Sequence, residues 1–253
     1  IGRRRIMKKI LIMCVTLVIS TMVLFGCGEQ LSTDEAFIKD LESGLEARWD
    51  IIEESDDENS KEYWESLFNA ELSKISKYKD KDFEDKTLGK LAKEYIEAIE
   101  GGKKALEKHD PESNYQRFWN DYSPYYGQRA KVFNKINKGS YGLKVTDSKY
   151  QDHFDGLVAT GWAVNLMETI KFKKIDDGWG NITYKAKEKN TSGYDYDYLQ
   201  FEILEKDKDG NTVNTTYSNV SNWDNGTERE LDFFVDSNKT KGYEIVSVTS
   251  EIK

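Results

Sequence analysis

Cysteine, proline and histidine each occur only twice in 253 residues, and no catalytic signature is present. A metal site needs ligands that converge on one point. His153 stands in "KYQDHFDG" beside Asp152 and Asp155, and neighbouring helix positions do not share a face. His109 falls at a helix boundary, where a cation suits the C-terminal dipole. There is no HExxH, GxSxG or P-loop pattern, so zinc-peptidase, serine-elbow and P-loop chemistry have no footing. Basic residues are in deficit, 37 against 46 acids for a formal charge of −9. That argues against nucleic acid, anionic headgroups and teichoic polymers as partners of the bulk surface. The one long apolar run, Ile10 to Phe25, is shorter than the ~20 residues that span a bilayer.

That run follows Lys8 and Lys9 and ends on a small residue, which is the layout of a secretory signal. Leu24-Phe25-Gly26-Cys27 then resembles the lipobox of bacterial lipoproteins. The resemblance implies a thioether from Cys27 to diacylglycerol and cleavage just before it. Two acyl chains anchor stably at ~0.8 kcal/mol per buried methylene, whereas one is marginal. The expected location is the outer face of a bacterial cytoplasmic membrane. Residues 1–6, "IGRRRI", precede a natural start at Met7 and are expected to be translated leader.

Cys14 lies inside the signal, so the only mature thiol carries lipid and no disulfide forms. Cys nucleophilic catalysis is excluded with it. Removing segment 1–26, with five basic residues and no acid, takes the formal charge from −9 to −14. Lysine in excess of arginine, with many Asn, Tyr and Ile, suggests an AT-rich genome. Together with the lipobox this points to a low-GC Gram-positive bacterium. Six Asn-x-Ser/Thr sequons, at Asn181, Asn190, Asn214, Asn219, Asn225 and Asn238, are read as products of an Asn- and Thr-rich β region.

The expected fold class is α+β in two domains: an all-α helical bundle over 35–169, after a tether at 27–34, and an antiparallel Ig-like β-sandwich over 170–253. Five stripes of helical period carry the first half. They are Phe37/Leu41/Leu45/Arg48–Trp49/Ile52, Trp64/Leu67–Phe68/Leu72/Ile75/Tyr78 and Leu88/Leu91–Ala92/Tyr95/Ile99. The fourth is Tyr115/Phe118–Trp119/Tyr122/Tyr126/Phe133/Ile136 and the fifth Tyr150/Phe154/Leu157–Val158/Val164–Met167. Gly101-Gly102 should weaken the third helix. Asp110-Pro111 should start the fourth, with a bend at Pro124.

Near Lys171 the period changes to two. Ile182/Tyr184/Ala186, Leu199/Phe201/Ile203 and Leu231/Phe233/Val235 alternate with polar residues, and only Phe234 breaks the pattern. Six or seven strands with turn signals between them suggest a sandwich. The stretch "YKAKEKNTSGYDYDYLQFEILEKDKDGNTVNTTYSNVSNWDNGTERELDFFV" resembles an FxLyD domain, the immunoglobulin-like module of many Gram-positive lipoproteins. It departs from that pattern at Glu205 and Lys206, where an aromatic often stands. The helical half is similar to uncharacterised helical regions of such lipoproteins. The resemblance implies architecture and location, and no active site.

"EKDKDGN" mimics a calcium loop, but the twelfth position from Glu205 is Thr216 and the flanks read as strands, so a hairpin turn is expected. The densest aromatic stretch is "NYQRFWNDYSPYYGQR". Most of its rings fall on the core stripe, while Tyr125 falls off it and is the candidate binding residue. A second candidate is "SGYDYDY", whose Tyr194, Tyr196 and Tyr198 could pair with a partner chain if they lie on an edge strand. The expected function is a non-catalytic binding module without cofactor, meeting an envelope protein or a cell-wall glycan. The alternatives are a wall-active glycan hydrolase with paired carboxylates and a structural spacer.

Overall fold

Three helices of the N-terminal half start where a side chain caps their free amides. In the computed structural model, residues 31–55, 57–176, 181–236 and 240–253 are described. The signal segment, Leu24, Phe25, Gly26, Cys27 and Asn238 lie outside them. Among the described residues five α-helices precede six strands: α1 Thr33–Glu54, α2 Lys61–Ile75, α3 Lys86–Lys108, α4 Pro111–Lys138 and α5 Gln151–Thr169. Ser60 caps α2 by accepting from Tyr63 N at 3.2 Å. Asp85 caps α3 through Thr87 N and Leu88 N. Asp110 caps α4 with Pro111 at its first position. None of these helices is long and apolar enough to cross a membrane.

Two local expectations differ from the structure. α3 does not weaken at its glycine pair, because a Cβ on Gly102 would lie 2.9 Å from Tyr122 and 3.0 Å from Phe68. The glycines let the aromatic core close on the helix. α4 continues through Pro124, and its non-helical residue is Asn114, at φ −155° and ψ 70°. The Asn114 side chain accepts from Arg117 N at 3.1 Å and so recaps the helix after the break.

The strands are β1 Lys173–Asp176, β2 Asn181–Lys189, β3 Tyr196–Lys206, β4 Thr212–Trp223, β5 Glu228–Asp236 and β6 Gly242–Ile252. They form two antiparallel sheets of order β1-β2-β5 and β4-β3-β6. The alternation places Ile182, Tyr184 and Ala186 opposite Val235, Phe233 and Leu231, all facing inward. Tyr184 and Phe233 stack with centroids 5.0 Å apart. Phe234 faces out at 65 % exposure. The "EKDKDGN" segment is a turn: Asp207 accepts from Asp209 N and Asn211 N, and Gly210 takes φ +83°. Sequon residue Asn190 is fully buried, its amide bonded to Tyr194 O and Trp223 O.

The two halves meet on α5. Its Phe154, Leu157 and Val158 belong to the helical core. Its Ala159, Trp162, Ala163 and Leu166 belong to the core of the sheets. A helix with apolar residues around its whole circumference is one packed on both sides. Thr33 to Lys253 is accordingly one compact unit.

Candidate functional site

Of the sequence candidates, Tyr125 is 40 % exposed. It borders a shallow groove with Gly101, Lys104, Asn120 and Asp121. A Cβ on Gly101 would fall 2.3 Å from its ring, so the phenol lies flat on α3. Phe118 and Tyr122, by contrast, are core residues stacked 5.4 Å apart, and Trp64 meets both edge-on. The tyrosines of "SGYDYDY" do not lie on an edge strand, contrary to the expectation from their alternation. β3 is the central strand of its sheet, so Tyr196 and Tyr198 offer no free edge to a partner. Tyr196 is fully buried, donates to Ala159 O at 2.7 Å and packs on Trp162. A register shift between Tyr196 and Tyr198 moves the alternation by one, which turns Leu199 inward and leaves Tyr198 half-buried, accepting from Gln200. Tyr194 is half-buried and donates to Asp155 at 2.8 Å.

These phenols make a pH prediction. Burial pushes Tyr95, Tyr122 and Tyr196 above the ordinary phenol value. Burial and then a neighbouring carboxylate do the same for Tyr78 and Tyr194. A raised folded pKa means the folded state holds its protons longer. The stability is therefore complete below the ordinary value of about 10 and is lost as pH rises through the folded values. Alkaline titration should show tyrosinate absorbance rising in part, then in a step coincident with loss of helical circular dichroism. A single smooth rise with the helices intact would count against this.

The structure brings together residues that periodicity alone did not mark as a site. Arg48 on α1, Glu71 on α2 and Arg129 on α4 converge in the helical core, at 5 %, 0 % and 5 % exposure. Glu71 Oε1 lies 3.2 Å from Arg48 Nη1 and 2.8 Å from Arg129 Nη2. Its Oε2 accepts from Tyr95 at 2.5 Å and from Arg129 Nε at 3.2 Å. Arg48 Nη1 also donates to Leu67 O. Despite its closeness to Oε1, Arg129 Nη2 is misaligned and has no hydrogen-bond partner. Burial works against the Arg129 charge, but Glu71 beside it, with the nearby phenols, more than offsets this and holds its pKa above the usual value. Two cations against one anion leave one unmatched positive charge.

The two arginines of that cluster form the floor of a half-open cavity of about 300 Å³. Trp49, Ile52, Tyr126 and Leu157 form its walls, and Ser250 and Ile252 of β6 close one side. Asp152 and His153 stand at the same opening. His153 stacks on Trp49 at 6.0 Å and pairs with Glu53 at 2.6 Å, while His109 pairs with Asp121 at 3.1 Å. Among the described residues no three His, Cys, Asp or Glu side chains are grouped to hold a metal ion. Gly156 of α5 also lines the cleft, and a Cβ built there meets nothing within 4 Å. A second groove, of about 390 Å³, shares Tyr126, Thr160 and Ser250 with the first and continues along α5 and β6 past Val164, Met167 and Val248.

No family model matches the chain, and no curated protein does. The resemblance of the β region to FxLyD domains thus rests on its residues alone. Among solved structures, IrmA from Escherichia coli matches at 17 % identity, over 31 % of this chain and 71 % of that one. The TM-score is 0.27, and a likeness that loose carries no argument about fold or activity.

Proposed function

We propose that this chain is an extracytoplasmic lipoprotein, tethered through a diacylglyceryl thioether on Cys27, that acts as a non-catalytic binding module of the bacterial envelope. The observation that carries the binding reading is the open cleft, whose floor holds more guanidinium than carboxylate. Concave sites with apolar walls and a few convergent polar groups are where proteins take ligands. The hydrolase alternative needs an acid in the cleft free to protonate a leaving group. Among the described residues Asp152 is the single acid lining the cleft, so no carboxylate pair faces it, and Glu71 behind the arginines has both oxygens engaged by two arginines and a phenol. The tether reading rests on the apolar run and on Leu24-Phe25-Gly26-Cys27. The partner is an envelope protein or a cell-wall glycan.

Two measurements in the native cells test this. An alkyne palmitate should label the wild type and not Cys27→Ala, which should accumulate as precursor; label on the variant, or none on the wild type, removes the tether. A photoreactive residue at position 125 should crosslink to one dominant envelope protein or to wall glycan. Released sugar fragments that depend on the protein would instead support the hydrolase.

A further inference from the structure

We infer that the cleft between α1, α4, α5 and β6 is a binding site for a small monocarboxylate with an apolar body, gripped by Arg129 and Arg48. The inference rests on reading the chain as a binding module and names the ligand class.

Two independent observations point to a ligand. The first is electrostatic. A fully buried carboxylate is met by two guanidiniums, each about nineteen-twentieths buried, both side chains line the cleft, and Arg129 Nη2 is poorly aligned on Glu71 Oε1 although only 2.8 Å from it. A buried donor left unmade is costly, more so on a charged group. Arg48 uses its Nη1 on Glu71 and Leu67. Each guanidinium is a planar fork that matches a carboxylate in two-point contact. One negative charge from a ligand would balance the cluster.

The second observation is steric. Glycine inside a helix costs about 0.5–1 kcal/mol relative to alanine. At Gly161 and Gly102 close packing explains the residue, because a Cβ there would meet neighbouring atoms at 2.1 and 2.9 Å. At Gly156 nothing lies within 4 Å, so packing does not demand it. What the missing side chain does is keep the cleft open above the arginines.

The walls narrow the class. Trp49, Ile52, Tyr126 and Leu157 offer rings and aliphatic surface to an apolar body. Asp152 stands exposed at the opening, where it would repel a second negative charge on the outer end of the ligand. A monoanion satisfies the floor without meeting that acid. About 300 Å³ admits a small molecule or a single end group of a larger one.

The test uses the full chain, purified in detergent, with acetate, benzoate and inorganic phosphate as probes and ionic strength fixed with chloride. Melting temperature and titration calorimetry are the readouts. Benzoate should bind more tightly than acetate, and both should raise the melting temperature beyond the chloride control. Gly156→Leu fills the cleft without touching the charged cluster and should weaken benzoate at least about tenfold, a difference of about 1.4 kcal/mol. Arg129→Met, which leaves the Arg48–Glu71 pair balanced, should do the same; if it fails to fold, the Gly156 variant still decides. No effect beyond chloride, an equal effect in Gly156→Leu, or a preference for phosphate overturns the inference. The position-125 crosslinking does not depend on these probes, so the carboxylate site can fail while the binding-module reading stands.

Discussion

Replacing Glu71 by glutamine should lower the unfolding free energy by about 3–5 kcal/mol, the usual cost of removing one partner from a buried ion pair. The amide keeps the shape of the side chain and most of its hydrogen-bonding reach. What it removes is the charge, and with it the carboxylate that pairs with two guanidiniums that are 5 % exposed. Surface pairs set the contrast. Lys187 and Glu228 stand 3.8 Å apart with side chains 68 % and 63 % exposed, a pair of the kind that contributes ~0–1 kcal/mol. Glu228→Gln should therefore shift a urea unfolding midpoint little. A Glu71→Gln shift no larger than the Glu228→Gln shift would refute the account of the cluster. Removing the whole cluster should behave differently from removing its centre. Arg48→Met, Glu71→Leu, Tyr95→Phe and Arg129→Met combined leave no charge unmatched, and such apolar replacements are often neutral or stabilising. The combined variant should be more stable than Glu71→Gln alone and should no longer respond to benzoate. That result would show that stability alone does not require the ionic cluster.

The cluster was written in the sequence, in a form that period-counting passes over. Arg48 follows Leu41 and Leu45 at stripe spacing, Glu71 follows Trp64 and Leu67, and Arg129 follows Tyr122 and Tyr126. Three helices thus carry a charge at a position where the stripe calls for an apolar residue, two of one sign and one of the other. A lone charge on a stripe says only that something pairs with it. Which helices face one another is a tertiary fact, and no local pattern contains it. The helical stripes and the inward residues of β2, β3 and β5 were legible because burial of one face imposes the period directly. The tyrosine strip differs from its local pattern for two reasons that the period cannot register. A register shift at Tyr196–Tyr198 moves the alternation by one residue, and the strand order puts β3 between β4 and β6. Tyr125 falls off the stripe occupied by Phe118 and Tyr122 and is 40 % exposed, so there the local rule is sufficient. Gly156 and Gly161 look alike in sequence, and only the space around each separates them.

Those two glycines should respond in opposite directions to the same substitution on the same helix. Alanine is the better helix former by about 1 kcal/mol, and that gain is common to both. At Gly156 nothing opposes it, so Gly156→Ala should stabilise by about 0.5–1 kcal/mol. At Gly161 the added methyl would lie 2.1 Å from Ala130 O, 2.7 Å from Ala130 C and 2.7 Å from Asn134 Cβ. Two of these are backbone atoms of α4, which cannot rotate aside as a side chain can. Either α5 lifts off α4 or the helix backbone bends. Forcing extra methyl groups into a packed core costs typically about 1–3 kcal/mol. That outweighs the propensity gain, and the balance should fall further because α5 is shared. Lifting it disturbs Phe154 and Leu157 on the helical side and Ala159 and Trp162 on the side of the sheets. Gly161→Ala should therefore destabilise and Gly161→Val should do so more, with helical and aromatic signals lost together in urea. Equal and stabilising effects at 156 and 161 would mean that α4 and α5 do not approach as closely as described. Loss of the helical signal before that of the buried tryptophans would mean that α5 does not couple the two cores.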